Sequence, residues 1–136
     1  MNNETYNTRY ADYKIPLKDI PRFLYHATPL MNYESIDRDK AISANPREHL
    51  WDFSEPNKVY LAIDEDIAYS FVETSMDETG IEDEILILQI DTNHLLFNKD
   101  KLYADQNIIY GIFDEIYSLE YRDDLSTETI YEMYEL

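Results

Sequence analysis

The chain has 136 residues, 44% hydrophobic and 14% aromatic, which is enough for one domain with its own core and includes no apolar run long enough to span a bilayer. Its 29 acidic and 11 basic residues leave a net charge of −18, unevenly placed: residues 1–60 hold 8 Lys or Arg and 9 Asp or Glu, whereas residues 61–136 hold 3 and 20. So acidic a C-terminal half repels phosphate backbones and excludes free nucleic acid as the expected partner, and the absence of cysteine excludes a disulfide framework, a thiolate nucleophile and a zinc-thiolate cluster.

In chain order, residues 1–13 are rich in Asn, Thr and Tyr and read as a loose arm, and Lys14 to Pro21 is a lead-in broken by Pro16 and Pro21. The polar N-terminus has no apolar signal region, so a cytoplasmic protein is expected. The domain proper is read as residues 23–136. Phe23 to Thr28 is a short apolar run closed by Pro29, a buried strand whose end delivers His26 and Thr28. Met31 to Ala41 reads as a short helix through Met31, Tyr33 and Ile36, and Ile42 to Asn57 as a surface loop. Val59 to Ile63 is a strand after the turn signal at Pro56 and Asn57. Asp64 then caps a helix to Glu73, with Glu65 and Asp66 in its first turn and Ile67, Ala68, Phe71 and Val72 on one face. Thr74 to Glu84 reads as an acidic loop around Gly80. Ile85 to Ile90 is a strand covered on both faces. Asp91 to Asn107 reads as irregular or partly helical, Ile108 to Tyr121 fits either helix or strand, and Leu119 to Tyr121 and Thr129 to Tyr134 are the last two strands.

Three segments, Tyr25-His26-Ala27-Thr28, Val59-Tyr60-Leu61-Ala62 and Leu119-Glu120-Tyr121, follow one another in an order and at a spacing that resembles the ADP-ribosyltransferase superfamily. The resemblance is to its small members, related to RNA 2'-phosphotransferases and DNA-targeting ADP-ribosyltransferase toxins, and runs from Phe23 to Ile130. It includes the hydrophobic strand ending at Asp91, and a final turn in which Ser126 and Thr127 stand where the family often has prolines. It implies an α+β fold of two small packed antiparallel or mixed sheets with flanking helices, and a cleft lined by His26, Thr28, Tyr60 and Glu120. The implied activity is transfer of ADP-ribose from NAD to a macromolecule, with protein the expected acceptor. The chain lacks the full arginine and histidine set of the RNA phosphotransferases.

On that resemblance His26 grips a ribose of NAD, and backbone groups at Thr28 hold the nicotinamide amide. An imidazole suits the task because it donates from one nitrogen and accepts at the other; the plainer reading is a packed core histidine. Tyr60 offers a ring for nicotinamide to stack on, although thirteen tyrosines dilute that signal. Glu120 is the candidate catalytic carboxylate, stabilising an oxocarbenium-like state, with Glu115 as the alternate and a solvated acid as the plainer reading. Arg22, Arg38, Lys40 and Arg47 are candidates for the pyrophosphate by location. His26, His49 and His94 are too dispersed for a helical metal pair, so no metal is expected. A small acidic chain of this type also fits a phage or mobile-element effector, or a non-catalytic anti-defence inhibitor that mimics nucleic acid on a basic partner surface.

Overall fold

The computed structural model describes residues 13–44, 58–105 and 117–136. The arm up to residue 12, most of the loop after Ile42, the stretch from Ile108 to Ile116, and the candidates Arg47 and Glu115 therefore lie outside the described residues.

Eight strands and two helices are described: β1 Phe23–Pro29, α1 Leu30–Asp39, β2 Ala41–Ile42, β3 Val59–Ala62, α2 Glu65–Thr79, β4 Ile85–Asp91, β5 Leu102–Ala104, β6 Ser118–Tyr121, β7 Leu125–Ser126 and β8 Ile130–Glu135. Six of the strands form one antiparallel sheet in the order β5-β6-β3-β1-β4-β8, and β2 pairs antiparallel with β7 in a ribbon. The architecture is α+β. The two sheets differ in size more than expected, because the strands legible in the sequence, together with the unforeseen β5, all join one sheet.

The large sheet separates two apolar clusters. On one face Leu24, Leu61, Leu88, Ile90 and Leu119 pack with Ile36 of α1 and with Ile42 and Leu125 of the ribbon. On the other, Ala27, Ala62, Ile85 and Ile87 receive Ala68, Val72 and Met76 of α2. β4 contributes to both clusters, which is why its sequence is continuously aliphatic rather than alternating.

α2 begins where its cap demands: Asp64 Oδ1 accepts from the Ile67 N–H at 2.8 Å, with Glu65 and Asp66 in the first turn. It runs to Thr79, through residues read as loop from the sequence. Val72 and Met76 continue the buried stripe begun by Ala68, while Asp77 and Glu78 ride the exposed side. Gly80 ends the helix at φ 73°, and the N–H groups of Gly80 and Ile81 both turn back to the Met76 carbonyl. α1 starts after Pro29, which has no side chain to cap with, so Asp83 supplies the cap from far along the chain, accepting from the Met31 N–H at 2.7 Å. At the far end of the chain Tyr134 donates to the Glu65 carboxylate and ties β8 to the start of α2.

A candidate carboxylate site on the central sheet

The strands carrying His26, Tyr60 and Glu120 are neighbours: β1 lies beside β3, and β3 beside β6. Tyr60 pairs directly with Glu120 across β3 and β6, and Tyr103 pairs with Glu120 across β5 and β6. Cross-strand partners share a face, so Tyr103, Glu120 and Tyr60 form one row, with about 5 Å between neighbouring Cβ atoms. This is the α2 side of the sheet, because Ala62, two residues from Tyr60, packs there.

Glu120 is fully buried, so the solvated-acid reading does not hold. Arg122 donates to its Oε1 twice, from Nε at 3.0 Å and from Nη2 at 2.7 Å. The same guanidinium lies 3.8 Å from the centroid of the Tyr103 ring. Lys58 Nζ stands 3.4 Å from Oε2, close enough for an ion pair, yet among the described residues no hydrogen bond reaches that oxygen. One carboxylate oxygen thus accepts two hydrogen bonds, and among the described residues the other has the Lys58 charge beside it without a hydrogen bond. Chemically, Oε2 is an acceptor in need of a donor, beside two aromatic residues and two cations.

The register turns His26 and Thr28 the other way. β1 is paired with β4 without interruption along its length, so its side chains alternate strictly: Tyr25 and Ala27 face α2, and Leu24, His26 and Thr28 face the opposite cluster. The four expected cleft residues therefore do not line a single cleft. Tyr60 and Glu120 share a face, while His26 and Thr28 occupy the other. Thr28 is buried, and its hydroxyl donates to the Pro29 carbonyl at 3.4 Å, a long contact.

His26 is nevertheless joined to Tyr60. Its Nδ1 lies 2.8 Å from the Tyr60 carbonyl oxygen, and because a carbonyl only accepts, the proton sits on Nδ1 and the lone pair on Nε2. Between β1 and β3 the described ladder has one registered pair, Tyr25 with Ala62. The imidazole bridges the seam just beyond that pair. Burial lowers its pKa below the usual imidazole value, and the bond to the Tyr60 carbonyl opposes part of that shift.

The arginines nominated for phosphate lie apart from this row. Arg22 precedes β1, stacks over the Phe23 ring at 4.7 Å and reaches Asp91 at 3.9 Å. Arg38 is exposed in the last turn of α1, beside Asp39. The cations at the carboxylate are Lys58 and Arg122, each two residues from a row member. Strand alternation carries that signal in the sequence, since residues i and i+2 share a face. Ser118, also on this face, donates to Asp105 at 2.8 Å. Among the described residues no group of three His, Asp or Glu is arranged to hold a metal ion, and no helix is long and apolar enough to cross a membrane. No family model matches the chain, and no match is found among the curated proteins.

Proposed function

We propose that the chain is an ADP-ribosyltransferase-type protein that uses NAD as its substrate and transfers ADP-ribose to a macromolecule, with Glu120 at the reacting ribose. The observation that carries this reading is the buried Glu120, paired with Tyr60 in register and keeping one carboxylate oxygen without a hydrogen bond among the described residues. That oxygen would accept from a ribose hydroxyl, and its charge would stabilise the oxocarbenium-like state formed as the glycosidic bond to nicotinamide breaks. Tyr60 supplies an aromatic surface for nicotinamide, and Arg122 and Lys58 replace Arg22 and Arg38 as the cations near enough to meet its phosphates.

His26 has a changed role here. With its ring on the other face, it positions rather than grips: the Nδ1–H bond to the Tyr60 carbonyl holds β3 at the seam. A second reading, a non-catalytic acidic protein that occupies a basic partner surface, draws on the charge of the C-terminal half.

Incubation with adenylate-labelled NAD and a cell lysate separates the two. Label transfer and nicotinamide release by the intact chain, both lost in Glu120→Gln while circular dichroism still reports a folded protein, are the expected results. A chain that neither binds NAD nor releases nicotinamide overturns the enzyme reading. A salt-sensitive complex with a basic protein, formed equally by Glu120→Gln and His26→Ala, then supports the binding protein.

A further inference from the structure

β8 closes the large sheet on the side away from β5, and among the described residues it pairs with β4 alone. A strand in that position presents a row of backbone donors and acceptors on its outer edge. Its side chains are unusual for an edge. Tyr131 is 62% exposed and Met133 44%, and Leu136 just beyond is 55% exposed. A register shift opposite Gln89 and Ile90 leaves Tyr131 unpaired, with its ring 4.9 Å from that of Phe23.

The charge carried by β8 itself has one sign, and the cation nearby, Arg22, stacks over the Phe23 ring and reaches Asp91 at 3.9 Å. Glu128, Glu132 and Glu135 lie on or beside β8, and no Lys or Arg follows Arg122 in the sequence. Glu135 and Glu84 are close enough for their carboxyl groups to hydrogen-bond, which raises the Glu135 pKa above the usual carboxylate range. Two copies of β8 pairing edge to edge would bring carboxylates together, so the acids guard against self-association while leaving the edge open to an oppositely charged strand.

We infer that the β8 edge is a docking site for an extended, basic segment of a partner protein, which adds to the sheet as a further strand. Backbone hydrogen bonds to β8 give the affinity, Tyr131 and Met133 receive the apolar side chains of the incoming strand, and its Lys or Arg residues meet Glu132 and Glu135. The site is separate from the Glu120 row and does not require NAD chemistry.

The test titrates the isotopically labelled full chain with an octapeptide of Lys-Lys-Val-Val repeats, which puts both residue types on each face as Tyr131 with Glu132 and Met133 with Glu135 require, and with its Glu-Glu-Val-Val counterpart. Saturable shifts at the amides of residues 130–135 and slowed hydrogen exchange there are expected with the basic peptide only. Tyr131→Ser combined with Met133→Ser, and separately Glu132→Lys combined with Glu135→Lys, should each weaken binding at least ten-fold, with melting temperatures reported alongside. Shifts that avoid β8, equal binding of both peptides, undiminished binding by the charge-reversed variant, or dimerisation of the peptide-free chain through β8 would each overturn the inference.

Discussion

A carboxylate with no water around it takes its stabilisation from its neighbours, and Glu120 has two unequal ones. Arg122 offers two charge-assisted hydrogen bonds, each about twice as strong as a neutral one, whereas Lys58 offers proximity without a bond. Removing the negative charge takes from both cations the carboxylate they share. Glu120→Gln is therefore expected to destabilise the fold by about 3 kcal/mol, the low end for a broken buried pair because both cations can turn partly to water. The triple change Lys58→Met, Glu120→Leu, Arg122→Met removes the whole cluster and should return to within about 1 kcal/mol of the parent, since buried ion clusters often exchange for apolar side chains without loss. Urea unfolding of the three proteins measures both. A triple variant that is stable but inert toward NAD assigns the cluster to chemistry; one less stable than Glu120→Gln assigns it to the fold.

At the scale of elements, α2 gives the sharpest test of the local rules. Asp64→Ala removes the one side-chain acceptor at its N-terminus and should cost about 1 kcal/mol. Gly80→Ala meets no atom within 4 Å, so its cost is conformational only, about 1 to 2 kcal/mol for a left-handed alanine. Thermal unfolding of both variants checks the pair, and a neutral Gly80→Ala would mean the last turn frays without that cap. The same helix marks the limits of the sequence. Its start was legible because Asp64 and the two acids after it form a local signal, but its second half was hidden by polar residues whose exposed side carries no apolar period. β1, β3 and β4 were legible as apolar runs. The three-residue β5 and the two-residue β2 and β7 were not, since strands so short exist only through the partners they meet. The site failed for a related reason. Alternation tells which residues share a face within one strand, but only the register between strands joins Tyr60 to Glu120 and turns His26 away.

At the scale of the whole molecule, a net charge of −18 works against compactness, and dissolved salt weakens that repulsion because the Debye length falls from about 30 Å at 0.01 M to about 8 Å at 0.15 M. Partly buried charges respond less, so the general acidity and the half-buried histidine can be told apart in one set of melting curves. His26 has a lowered pKa in the folded chain, so the unfolded chain binds the proton first on acidification. Its contribution to stability is therefore fully present above the ordinary imidazole value of about 6.5 and is lost as pH falls from there toward the lowered folded value. Raising salt from 0.01 to 0.15 M should lift the melting temperature by several degrees well above the pI of about 4.2, on the order of 1 kcal/mol of relieved repulsion. The downward slope below about pH 6.5 should survive the added salt and flatten in His26→Asn, which keeps a donor for the Tyr60 carbonyl but cannot take up a proton. A slope that vanishes in salt, or persists in His26→Asn, would mean the acid sensitivity comes from the surface carboxylates instead. The imidazole would then be no more than a hydrogen-bond donor at the seam between β1 and β3.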